Sequence, residues 1–315
     1  MTKKKNKTNN EEKMTFWEHV EVFRKVVFRC LAIWLLCAIA AFVFKDEVFS
    51  ILFAPSKSDF ILYDILCLIS SKINVEVLCP GSFEIDFINT QLASQFMTHL
   101  SVSMWLGVVA AMPYLIYQLY GFVSPALYDN ERRYSYYLIF CSVILFACGV
   151  LLNYFVIFPF SFRFLSTYQV SSEVVNQIAL SSYISTFFML SLMIGIIFEI
   201  PIMAYFLAKL DLISAEIMRK YRKHAFVVIC IIAAIITPTA DIFTLMLVAL
   251  PIALLYELSI TIVKRVQKFA SKELGEKIET QRYFKGLSDL SYFSLRDAEE
   301  VIKYLKPNMP SLGYN

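Results

Sequence analysis

Glu199 stands in Gly195-Ile196-Ile197-Phe198-Glu199-Ile200-Pro201, a carboxyl group inside a run that is otherwise apolar. An ionisable group at bilayer depth costs several kcal/mol unless it faces protein or water, so Glu199 is a candidate for meeting a polar partner. The plainer reading is a protonated acid bonded within its own helix or to a neighbouring one. Pro201 adds a kink, since a proline cannot bond the carbonyl four residues back. Glu257 and Gln118 are polar groups in similar settings, with interhelical hydrogen bonding as the plainer role. Glu18, Glu21 and Glu131 lie at polar boundaries, where carboxylates could grip an arginine pair through bidentate bonds or simply be solvated charges. The three histidines are His19, His99 and His224, and neither a CxxC nor an HExxH pattern occurs. No nucleophile, base or metal constellation can be assembled from these residues, so neither an enzyme nor a cofactor is expected.

The elements that must position these groups follow from composition. Hydrophobic residues make up 58% of the 315 positions and charged residues 17%, against about 45–50% and about 25% in soluble domains. This is the composition of an all-α polytopic membrane protein. A net charge of +3 gives no reason to expect nucleic acid. Cys30, Cys37, Cys141, Cys148 and Cys230 sit in apolar runs, where a thiol is a small hydrophobe. Lys3 to Lys5, an apolar run and Ala38-Ile39-Ala40 imitate a cleavable signal. Roughly 25 residues precede that run and it continues past the cleavage point, so it reads as an uncleaved first span.

About 20 apolar residues cross a bilayer as a helix. Four runs meet that length, 26–44, 100–123, 137–160 and 184–207. The stretch from Ala225 to Val263 is too long for one crossing, and Thr237-Pro238-Thr239-Ala240-Asp241 breaks it into 225–236 and 242–263. Six spans result, the fifth short, with a segment 1–25 before them, a loop 45–99 and a tail 264–315. Of the 29 lysines and arginines, 25 fall on alternate segments, the two ends among them. The positive-inside rule then places both termini in the cytoplasm. Loop 45–99 is acidic and would be periplasmic, where Cys67 and Cys79 either pair or remain thiols. Pro113, Pro159, Pro201 and Pro251 kink four spans into a concave scaffold. A late helix capped at Ser294 is expected in the tail.

Several motifs together resemble the TatC family, the multispanning subunit of the twin-arginine translocase. They are Pro113-Tyr114-Leu115-Ile116-Tyr117-Gln118, then Phe122 to Tyr128 with Glu131-Arg132-Arg133, then Phe198-Glu199-Ile200-Pro201. Thr237-Pro238 with Asp241, and Leu250-Pro251 with Tyr256-Glu257-Leu258, complete the set. The resemblance covers about residues 16 to 265. It implies a bacterial inner-membrane receptor that binds twin-arginine signal peptides of folded precursors at its cytoplasmic face. It also implies recruitment of single-span TatA and TatB subunits, self-association in a receptor complex and transport driven by the proton-motive force. The family's arginine-recognition patch joins the loop glutamate matching Glu131 to a glutamate in an N-terminal His-Leu-x-Glu-Leu-Arg motif. Aligning His19 and Arg24 to that motif puts Val22 where the glutamate stands, with Glu21 adjacent and Glu18 one turn earlier. Glu199 matches the intramembrane glutamate that faces the partner helix, with Gln118 and Pro201 in the same region. Pro238 and Asp241 match the periplasmic turn. A secondary transporter using buried carboxylates is the alternative, though such folds show internal repeats with paired broken helices, and none is seen here.

Overall fold

The computed structural model describes residues 16–73, 87–123, 135–169, 171, 176–210, 212–237 and 241–289. Within lipid every backbone N–H and C=O must find its partner inside the segment, and the apolar runs accordingly form helices. Among the described residues five of these are long and apolar enough to cross a membrane: Val20–Val43, Ser94–Gly121, Tyr137–Thr167, Leu180–Lys209 and Ile242–Phe269.

Helix α1 (Phe16–Val43) lies along α4 (Ser94–Val123), and of its large apolar side chains many stay exposed. Ala38 and Ala41 are its buried positions, because small residues let two helices approach closely. A Cβ added at Gly107 would lie 2.9 Å from both the backbone N and the Cβ of Ala38. The Trp34 Nε1–H donates to Met104 O at 3.1 Å, and His99 Nε2 lies 3.2 Å from Phe42 O with its ring stacked on Phe42. Gly107→Ala is expected to push the pair apart and cost about 1–3 kcal/mol, read as a lower thermal midpoint in detergent. Ala38→Gly should give no recovery, since backbone atoms of residue 38 are among those in the way.

The third span is α5 (Ser135–Leu152) and α6 (Phe158–Thr167) joined by a π turn over Asn153–Ile157. Pro159 has no N–H to donate into the ladder, and the widened turn absorbs the defect. Asn153 is fully buried there, and its Nδ2 donates to Ser191 Oγ of α7 (Leu180–Ile197) at 2.7 Å, tying the third span to the fourth. The fourth span breaks at Phe198-Glu199 and resumes as α8 (Ile200–Lys209), with Pro201 in its first turn.

Between the first two spans lie α2 (Lys45–Phe53), a 3₁₀ turn (Ala54–Ser56) and α3 (Ile61–Ile73). Strand β1 (Phe87–Ile88) pairs in parallel with β2 (Ile178–Ala179), Phe87 opposite Ile178. At the end of α2 the Ala54 N–H bonds Ile51 O, and side chains of the spans supply further donors to its last carbonyls. Tyr183 donates to Leu52 O at 2.7 Å and Tyr154 to Ile51 O at 2.9 Å, so tyrosines of the spans fasten this loop. Tyr63 is buried, its hydroxyl shared between Pro55 O and Pro159 O, with the Arg163 guanidinium 5.6 Å over its ring. Burial pushes the Tyr63 hydroxyl up to about 12, so it remains a neutral donor at any physiological pH. Beneath lies an aromatic cluster in which Phe158 meets Tyr183 and Phe187 edge to face. Cys67 on α3 is in a disulfide, whereas Cys79, the partner considered for it, lies outside the described residues.

The short helices α9 (Ala215–Lys220) and α10 (Arg222–Ile236) precede α11 (Ile242–Asp289). At 15 residues α10 reaches about 22 Å, too short to count among the five long spans. The run expected as the sixth span opens at Ile242 but the helix does not stop at Val263: it runs 48 residues, about 72 Å, because no proline interrupts residues 264–289. The helix expected at Ser294 lies outside the described residues.

Candidate functional site

Glu199 caps the N-terminus of α8 with helical dihedrals, φ −76° and ψ −12°, and is half-buried. Its place depends on a close contact between α5 and α7. A Cβ at Gly149 would lie 2.9 Å from the Phe198 ring, and one at Gly195 would lie 2.6 Å from the Phe146 ring. With both side chains absent, α5 comes near enough for the Ser142 hydroxyl to donate to Glu199 Oε2. Tyr120 of α4 stands beside Ser142, and its ring packs on Phe206 of α8 at 5.2 Å. Four helices therefore converge on one carboxyl group. Its other oxygen, Oε1, is buried with no hydrogen-bond partner among the described residues.

Gln118 lies two residues before Tyr120 but is turned onto its own helix, Nε2 donating to the Tyr114 hydroxyl at 2.5 Å. It does not join the Glu199 group. Pro201 is buried in the first turn of α8, two residues after Glu199. Asp241 accepts the Thr244 N–H through Oδ1 at 2.6 Å and so caps α11. Asp241→Ala should cost about 0.5–2 kcal/mol and Asp241→Asn markedly less, measured by thermal unfolding of the detergent-solubilised chain. Glu257 has a partner 35 residues away: Arg222 of α10 meets it through Nη2 and Nε, each at 2.8 Å, a two-pronged bridge. Just beyond, Tyr256 donates to Met218 O at 2.9 Å and the Ala215 N–H donates to Gln267 Oε1 at 3.2 Å, so α9 is bound to α11.

Of the carboxylates at the polar boundary, Glu21 is exposed on α1 and paired with Lys25 at 2.9 Å. Arg24 is exposed beside them. Glu18 and His19 belong to α1, but their side chains, like Glu131 and Pro238, lie outside the described residues.

A profile of the family described as Sec-independent protein translocase protein (TatC) matches residues 18–251. The chain belongs to the TatC family. The TatC protein of Blattabacterium sp. subsp. Periplaneta americana is 36% identical over 263 residues, 82% of this chain and 98% of that one. That of Carboxydothermus hydrogenoformans is 32% identical over 258 residues, 82% and 96% of the respective chains. A crystal structure of the twin arginine translocase receptor TatC, 30% identical, matches with a TM-score of 0.62 and covers 79% of this chain and all of that one. The chain is thus a polytopic helical membrane protein of a protein translocase.

Within this TatC fold, Glu199 and Pro201 stand out in the sequence, whereas Tyr120, Ser142 and Arg222, which lie against Glu199 and Glu257, do not. Serine and tyrosine are ordinary in apolar helices, and these bonds join residues 57 and 35 positions apart, so no local pattern marks them. A hint was present for Arg222 alone, an arginine at the polar start of an apolar run with Glu257 at the matching end of the next.

Proposed function

We propose that this chain is the receptor that binds twin-arginine signal peptides of folded precursor proteins at the cytoplasmic face of a bacterial inner membrane. It recruits single-span TatA- and TatB-type subunits there, self-associates in a receptor complex, and works in export driven by the proton-motive force. The observation that carries this reading is its match, over the whole length of that protein, to a twin arginine translocase receptor. The spacing of basic segments supports six spans with both ends inside, α10 being the short fifth.

In this reading Glu131 supplies one carboxylate to the incoming arginine pair, and Glu21 or Glu18, flanked by His19 and Arg24, supplies the other in place of Val22. Glu18, Glu21 and Lys25 fall at helical spacings of three and four, so they share one face of α1. An arginine arriving at Glu21 must displace Lys25, which is cheap because an exposed pair of this kind holds by about 0.3–0.5 kcal/mol. Arginine replaces lysine there with a planar fork that binds both carboxylate oxygens, which a lysine tip cannot do. Glu199 is the contact for the partner helix, Pro201 supports it from the first turn of α8 and Gln118 contributes separately from α4, while Pro238 and Asp241 shape the external turn. Titration of the purified chain with a twin-arginine peptide and its Lys-Lys variant tests the assignment. Tighter binding of the arginine form is expected, and equal affinity for the two would defeat the receptor reading.

A further inference from the structure

The carboxyl group assigned to the partner helix is already occupied inside the fold. The Ser142 hydroxyl, on a residue 1% exposed, donates to Glu199 Oε2, and Tyr120 stands beside Ser142. The remaining oxygen, Oε1, is covered by protein, so a group on another helix cannot reach it where it lies. Glu199 also sits at the break between α7 and α8, where Phe198 and Glu199 form a two-residue turn and the Glu199 N–H bonds Ile196 O three residues back instead of four. Phe198, the other residue of the turn, lines an apolar groove of about 570 Å³ with Leu152, Val156, Leu247, Leu250 and Leu254. A helix seated in that groove would lie against the same break.

We propose that Ser142 and Tyr120 are positioning residues that park Glu199, and that docking of a single-span partner exchanges the Ser142 bond for one to a polar group of the partner. The inference rests on the reading of Glu199 as the partner contact. It carries a sign that a purely structural role lacks. An interhelical hydrogen bond in a membrane resists separation modestly, so losing the internal competitor should favour the external bond by about three- to twentyfold. Ser142→Ala leaves Oε2 unsatisfied at bilayer depth, which drives the carboxyl group outward.

The test uses the full chain with its partner subunits in native membranes and no precursor. A cysteine at position 203, exposed one turn after Glu199, is crosslinked to a cysteine in the partner helix, with the five free cysteines among the described residues replaced. Ser142→Ala should raise the yield about three- to twentyfold, Tyr120→Phe should raise it less, and Ser142→Thr, which keeps the hydroxyl, should leave it at the native level. An unchanged or lowered yield in Ser142→Ala, with normal chain level and normal peptide binding, overturns the proposal. Should Ser142→Ala accumulate poorly, Tyr120→Phe decides by the same sign. Glu199→Ala separates the two readings: lost crosslinking upholds the partner contact, so that a failure of Ser142→Ala then falls on the parking alone. A normal yield in Glu199→Ala removes both.

Discussion

Glu131→Lys is expected to weaken binding of a twin-arginine peptide by about 10- to 150-fold. The range follows from losing charge-assisted hydrogen bonds to one arginine, about 1.5–3 kcal/mol, and the new lysine adds repulsion between like charges. Residual binding should depend less on salt, because the screened attraction between carboxylate and guanidinium has gone. Isothermal titration at two ionic strengths measures both effects. Glu131→Gln should fall between, since its amide oxygen still accepts a hydrogen bond but carries no charge. Binding unchanged in Glu131→Lys would move the recognition patch off this loop.

The second large effect is at Glu199. Glu199→Ala is expected to leave peptide affinity within twofold of native while reducing association with the single-span partners by about 5- to 30-fold, the worth of about 1–2 kcal/mol of interhelical bonding. The separation of the two readouts has a physical basis. Glu199 is held by Ser142 within the spans, whereas the carboxylates at the polar boundary stand on α1 and in the segment carrying Glu131. Co-purification of the partners and peptide titration on the same preparation check it. Loss of peptide binding together with partner association would mean instead that the scaffold itself had been damaged.

The helices that cross were legible because lipid demands long uninterrupted apolar runs, which composition alone displays. Breaks were legible where proline causes them, as at Pro201 after Glu199. The π turn at Asn153 was not, since Pro159 announces a defect without saying how the chain absorbs it. Nor was the length of α11, because polar residues after Val263 end a span without ending a helix. Within the site, charge inside an apolar run singled out Glu199 at once. Its holders remained invisible, because Gly149 and Gly195 act through what they lack and Ser142 is one serine among many. Glu257 was seen as a polar group seeking a neighbour, and its neighbour Arg222 was passed over as a basic residue at the membrane surface.

Sidedness and specificity of recognition can be read together. A photo-crosslinker placed at position 128, three residues before Glu131, is exposed to a twin-arginine precursor added to inverted inner-membrane vesicles. The account predicts an adduct with that precursor, strongly reduced when its arginine pair is replaced by two lysines. No adduct in inverted vesicles, or equal adducts with both precursors, would contradict it.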